Sequence, residues 1–101
     1  MKKILLACAA GMSTSLLVTK MEKAAQAKGI EVKIDAVPVD AFADKVSQYE
    51  IALLGPQVKF KKDEFQKIAD QYGIKVLVIN SMDYGLMKGE KILEETLKEM
   101  Q

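Results

Sequence analysis

The chain has 101 residues, half of them hydrophobic, with 15 Lys and Arg against 14 Asp and Glu and a formal net charge of +1. That length suits one domain spanning residues 1–101 with a real core, and the near balance of charge gives no general electrostatic attraction for nucleic acid or an anionic membrane. The absence of histidine excludes Ser-His-Asp and Cys-His catalysis within the chain and removes the commonest metal ligand; the lone cysteine forms no internal disulfide or C-x-x-C pair and suits a reducing compartment.

Lys2-Lys3 followed by Ile4-Leu5-Leu6-Ala7-Cys8 looks at first like the start of a lipoprotein signal. Only four residues lie between the basic pair and the cysteine, whereas a signal needs an apolar region of about 7–15. No other run approaches the ~18 apolar residues of a membrane span, so a soluble, cytoplasmic protein with no direct membrane insertion is expected. Residues 2–8 read instead as a strand covered on both faces of a parallel sheet.

Cys8-Ala9-Ala10-Gly11-Met12-Ser13-Thr14-Ser15 follows that strand and leads into a helical pattern over residues 14–28, with Leu17, Met21, Ala24 and Ala25 on one face and Gly29 as its cap. Residues 32–37 alternate apolar with charged side chains, as on an edge strand, and Pro38 closes them. Residues 39–49 predict a short helix with Val39, Phe42, Ala43 and Val46 inward and Asp40 placed to cap it. Ile51-Ala52-Leu53-Leu54 predicts a buried third strand stopped by Gly55-Pro56, and residues 61–72 a third helix with Phe65, Ile68 and Ala69 inward and Gly73 at its end. Residues 76–79 predict the fourth strand, and residues 88–100 a last helix with Ile92, Leu93, Leu97 and Met100 on one face.

Four strands alternating with helices give an α/β fold: a single doubly wound parallel sheet with helices on both faces. The alternating second strand belongs at an edge, which sets the order 2-1-3-4 and leaves the apolar fourth strand at the other edge, to be covered by the last helix or a partner. Ligands in such a sheet bind outside the carboxyl ends of the strands at the switch point, where Cys8 and Gly55-Pro56-Gln57 meet.

A strand that turns through small residues into a helix aims several backbone N–H groups into one concavity at the positive end of the helix dipole. Such a nest binds phosphate, and it lowers the pKa of a thiol at its lip by stabilising the thiolate. Cys8 is therefore the candidate nucleophile, with Ala9, Ala10, Gly11, Met12, Ser13, Thr14 and Ser15 forming the anion site. One of the hydroxyls is expected to cap the helix rather than meet ligand. A C-x5-R phosphatase loop would place an arginine where Thr14 stands, so the bidentate clamp of that chemistry is missing. Asp40 and Asp83, near strand ends, read more readily as solvated caps than as the acid that hydrolysis would need.

The Cys8–Ser15 loop with Leu16-Leu17-Val18 after it, Leu53-Leu54-Gly55-Pro56-Gln57, and Asn80-Ser81-Met82-Asp83-Tyr84-Gly85 resemble the IIB components of the lactose, cellobiose and chitobiose branch of the bacterial sugar phosphotransferase system. The resemblance spans essentially the whole chain and implies a fold like those of flavodoxin-like proteins and low-molecular-weight tyrosine phosphatases. It implies that Cys8 takes a phosphoryl group from a phosphohistidine on a IIA protein and passes it to a sugar at the membrane-embedded IIC transporter, with no cofactor or metal. The phosphoryl oxygens would lie against the amides of the loop. Met12, Leu16, Gln57, Lys59 and Tyr84 would surround it and meet the two partners in turn. The competing readings are a phosphatase-like enzyme and a thiol redox or anion-binding module, the latter disfavoured by the lack of a resolving cysteine.

Overall fold

The computed structural model describes residues 2–8 and 11–100, with side chains in the second span described from Thr14 onward. Strands β1 (Lys2–Cys8), β2 (Val32–Pro38), β3 (Ile51–Leu54) and β4 (Lys75–Val78) form one parallel sheet in the order β2-β1-β3-β4, as the pattern of edge and buried strands predicts. Cys8 lies opposite Pro38, Ala7 opposite both Val37 and Leu54, and Leu54 opposite Val78. The carboxyl ends of all four strands are therefore level, and the loops leaving them share one end of the sheet.

Side chains alternate across a strand, and the two faces sort accordingly. Ile4, Leu6 and Cys8 of β1 with Ile51 and Leu53 of β3 join a core made with helices α1 (Gly11–Ala27), α4 (Ser81–Gly85) and α5 (Gly89–Glu99). Leu5, Ala7, Ala52 and Leu54 enter a second core with α2 (Phe42–Lys45) and α3 (Lys62–Asp70). A strand buried on both sides needs an unbroken apolar run, which is what Ile4-Leu5-Leu6-Ala7 and Ile51-Ala52-Leu53-Leu54 supply.

Several boundaries differ from expectation. Helix α1 begins at Gly11 rather than at residue 14, because nothing in Gly11-Met12-Ser13 opposes a first helical turn. Ala9 and Ala10, between β1 and α1 in the sequence, lie outside the described residues. The helix expected over 39–49 is broken into a 3-10 turn Val39–Ala41, the short α2 and a second 3-10 turn Val46–Gln48. Phe42 and Val46, four residues apart, are buried, while Ala43 points to solvent on the neighbouring face. Asp40 does not cap the segment: Pro38 holds the cap position without a side-chain bond.

The third helix is preceded by 3-10 turns over Pro56–Lys61, interrupted by Val58 at φ −119 and ψ 24. Helix α4, absent from the periodicity reading, is one short turn started by Asn80, whose side chain accepts from the amides of Met82 and Asp83. At the β4 edge, Leu77 packs into the α1/α5 core and Lys75 reaches Glu99 at 3.0 Å, so α5 covers one face of this strand.

Candidate functional site

Cys8 ends β1 between two neighbours, at the switch point where β2 and β3 leave on opposite sides. Its side chain points to the α1/α5 face, as residue parity along β1 demands, and is only 3% exposed. The chain leaving β3 is tied to it, since the Gly55 amide donates to the Ala7 carbonyl at 3.0 Å. A Cβ at Gly55 would stand 2.9 Å from the Cys8 sulfur and 2.8 Å from Gln57 Oε1. Glycine is what lets the β3 exit pass so close to the sulfur.

Three side chains from three elements converge there. The thiol donates to Gln57 Oε1 at 3.6 Å, the Tyr84 hydroxyl lies 3.3 Å from the sulfur, and Thr14 Oγ1 lies 3.2 Å from the Tyr84 hydroxyl. Thr14 is delivered by the first turns of α1, Gln57 by the turn after β3, and Tyr84 by α4 after β4. The Asn80 cap fixes α4 in place, with Asn80 Oδ1 accepting from Met82 at 2.9 Å and Asp83 at 3.2 Å. Burial pushes the Tyr84 hydroxyl above its ordinary pKa of 10; its bond to Cys8 adds to the rise and the bond from Thr14 opposes it.

The amides of Gly11 through Ser15 fall within the opening turns of α1, so the backbone expected to form the anion nest is the amino end of a helix of 17 residues directly behind Cys8. Ala9 and Ala10, and the side chains of Met12 and Ser13, lie outside what is described. The Thr14 hydroxyl, expected against phosphate, is buried against Tyr84 instead. An arginine at that position would have to displace the tyrosine. Ser15 is exposed, and its carbonyl accepts from the Thr19 hydroxyl at 3.1 Å.

Of the expected rim, Leu16, Gln57 and Lys59 are exposed. Tyr84 is not on the rim: it is 5% exposed, and its hydroxyl meets the sulfur. The physical reason is that α4 turns this ring into the core formed by Leu6, Leu17 and Ile79. Three large apolar residues that periodicity did not single out are exposed on segments following β3 and β4: Phe60, Met82 and Leu86. Their signal in the sequence was present as apolar side chains outside every inward helical face. Asp40 is exposed, and Asp83 is buried with Oδ1 3.3 Å from Lys91. The Thr14–Tyr84 pair spans 70 residues of sequence, so no local pattern announced it. Among the described residues no group of three or more His, Cys, Asp or Glu is placed to hold a metal, and no helix is long and apolar enough to cross a membrane.

The fold and site define a doubly wound α/β protein with its cysteine at the switch point, ahead of a helix amino end and without the arginine of a phosphatase loop. Residues 3–95 match the family described as PTS system, Lactose/Cellobiose specific IIB subunit, and the chain belongs to that family. It is accordingly a phosphotransferase component of the sugar phosphotransferase system. It is 52% identical over 100 residues to the oligo-beta-mannoside-specific EIIB component of Bacillus subtilis (strain 168), covering 99% of this chain and 97% of that one. A solved structure of the lactose-specific IIB domain from Streptococcus pneumoniae superposes with a TM-score of 0.89 at 25% identity, covering 99% and 98% of the two chains. The lactose-specific EIICB component of Streptococcus mutans serotype c is 31% identical over 101 residues, which cover 95% of this chain and 18% of that larger protein.

Proposed function

We propose that Cys8 is the residue that carries the phosphoryl group. Its thiolate attacks the phosphorus of a phosphohistidine on a IIA protein; the S–P bond forms, the P–N bond breaks, and the imidazole nitrogen keeps the electron pair and takes up a proton. In the second step a sugar hydroxyl attacks the same phosphorus, the S–P bond breaks, the sulfur leaves as thiolate, and the hydroxyl proton passes to solvent. The observation that carries this reading is the placement of the cysteine at the switch point, directly ahead of the amino end of α1. The amides of residues 9–15 hold the phosphoryl oxygens without a guanidinium clamp.

A relay needs its group held loosely enough to leave, and Thr14 in place of a bidentate arginine satisfies that condition. This disfavours the phosphatase alternative. Leu16, Gln57 and Lys59, joined by Phe60, Met82 and Leu86, supply an exposed and largely apolar surface for IIA and IIC; Met12 belongs with them by sequence. The EIICB relative, whose name places IIC and IIB in one protein, supports the IIC partnership. The acceptor is a sugar of the cellobiose, chitobiose, lactose or related β-glycoside class, in keeping with the family description and with the oligo-beta-mannoside relative. Residues 1–101 then act as one IIB domain in the cytoplasm, recruiting neither nucleic acid nor a metal or cofactor.

The test is intact-mass spectrometry after incubation with a phosphorylated IIA protein. The parent gains one phosphate, and Cys8→Ser, a change small enough to leave the fold intact, gains none and transfers nothing to sugar. Brisk hydrolysis of an aryl phosphate by the parent, abolished by Cys8→Ser, would instead assign it to the phosphatases.

A further inference from the structure

The relay reading gives Tyr84 no part beyond its place near the loop, yet its hydroxyl is one of the groups nearest the reacting sulfur. Gln57 Oε1 is a carbonyl oxygen and can only accept, so at 3.6 Å it takes the proton of the Cys8 thiol. Once ionised, the sulfur can only accept, so the contact of 3.3 Å with the Tyr84 hydroxyl is then made by the tyrosine proton. The 3.2 Å contact with Thr14 Oγ1 and a bond from Gln57 both act to lower the tyrosine pKa, as bonds to its oxygen do.

When the sulfur loses its proton, the link to Gln57 disappears and the link from Tyr84 strengthens, because its acceptor is now an anion. The geometry points to Tyr84 as the positioning residue of the phosphoryl relay: its hydroxyl, oriented by Thr14, donates to the Cys8 sulfur and stabilises it as a thiolate both before it attacks and as it leaves. The tyrosine proton is consumed in neither half-reaction, so the balance of both steps is unchanged. Burial and the bond to Cys8 hold the Tyr84 pKa above its ordinary value, which keeps the donor protonated across the working range of pH. The neighbouring carboxylate, Asp83, meets Lys91 through Oδ1 at 3.3 Å. The arrangement is also well suited to leaving-group stabilisation, because the donor is fixed by packing in the α1/α5 core and needs no reorganisation when charge returns to sulfur.

This inference rests on the relay reading for its second half only, and the experiment separates the two. Tyr84→Phe keeps the ring and removes the hydroxyl; Thr14→Val removes the group that orients it. In the unphosphorylated protein, ultraviolet titration of the Cys8 thiolate, with each variant referenced to its own Cys8→Ser control, requires no phosphoryl donor. Tyr84→Phe should move that titration upward by about 1–2 pH units, the equivalent of a hydrogen bond to a charged group worth about 1.5–3 kcal/mol. Thr14→Val should move it in the same direction by less. Starting from phosphorylated protein, transfer to sugar should slow roughly tenfold in Tyr84→Phe with the Michaelis constant for sugar unchanged. An unmoved thiol titration in a folded Tyr84→Phe protein overturns the inference, as does an unmoved transfer rate. A parent that takes up no phosphate from IIA overturns the relay instead, and the titration still decides the role of the tyrosine.

Discussion

The two faces of the sheet are built from the same strands and differ in what they bury. Against α2 and α3 the fully buried side chains among the described residues are apolar, and they include a stacked pair, Phe42 and Phe65, with ring centroids 4.1 Å apart and planes 5° from parallel. Against α1, α4 and α5 lie Cys8 and Tyr84, and the buried polar residues Thr14, Asp83 and Thr96 all come from these same helices. Buried polar groups cost free energy unless they are bonded, and here one of them remains partly unbonded, since Asp83 Oδ2 has no hydrogen-bond partner. Both faces bury an apolar core, but only one of them also holds the reactive sulfur and its polar neighbours, with a single layer of β-strand between the two.

The largest effect should come from breaking the apolar face. Phe42→Ala removes a fully buried ring and its stacking partner's contact, a loss of about 3–5 kcal/mol. Domains of this size have only about 5–15 kcal/mol of stability in total. Urea denaturation should show a midpoint reduced by a large fraction, while the thiol of the still-folded protein titrates as in the parent. A shifted thiol titration would show that the faces are coupled through β1 and that the division drawn here is wrong.

The cores of both faces were legible in the sequence: the strands as unbroken apolar runs such as Ile51-Ala52-Leu53-Leu54, the helices by spacing, Phe65 and Ala69 on one face and Leu17, Met21, Ile92 and Leu93 on the other. Cys8 and the loop after it were legible because the chemistry is local, a strand, a turn of small residues and a helix in succession. Tyr84 was misplaced onto the rim for the opposite reason. Its contact with Cys8 spans 76 residues and depends on a five-residue helix, too short to have a period, whose orientation is set by the Asn80 cap. The length of α1 was understated because a hydroxyl-rich stretch was read as loop, when such residues are equally at home in a first helical turn. The breakage of the 39–49 helix into 3-10 pieces has no counterpart in the hydrophobic spacing, since Phe42 and Val46 stand four apart as in a regular helix.

A smaller perturbation addresses the boundary between the faces at the sulfur itself. Gly55→Ala would press a methyl group to within 2.9 Å of Cys8 Sγ and 2.8 Å of Gln57 Oε1. The glutamine can swing away, but the sulfur sits on a short side chain at the end of a fully paired strand, so the strain falls there. The expected loss of stability is about 1–3 kcal/mol. Phosphoryl uptake should fall by more than that loss of folded protein accounts for, because displacement of the sulfur misaligns attack. Uptake that declines only in proportion to the folded fraction would show that the sulfur has more room than the geometry allows it.

The smallest effect concerns the edge of the apolar face, where a polar contact does occur. Tyr49, half-buried beside that core, donates from its hydroxyl to Asp35 Oδ2 at 2.6 Å and so ties the turn before β3 to the edge strand β2. Burial, reinforced by the hydrogen bond to Asp35 and the negative charge there, raises its pKa from 10 to about 12. The sign of the consequence follows from which state keeps the proton: between pH 10 and about 12 the unfolded chain has lost it while the folded chain retains it, so stability is full below pH 10 and is lost as the pH rises through the folded value. Tyr49→Phe should cost about 1 kcal/mol near neutral pH, since the bond has a charged acceptor but is reached by solvent. It should also flatten the alkaline part of the stability curve, because phenylalanine has no proton to lose. Denaturation midpoints of parent and variant, followed from neutral pH into the alkaline range, should converge as the pH climbs. Parallel curves would mean that the Tyr49 hydroxyl is as well solvated in the folded protein as in the unfolded one, and that its bond to Asp35 contributes nothing to the edge of this face.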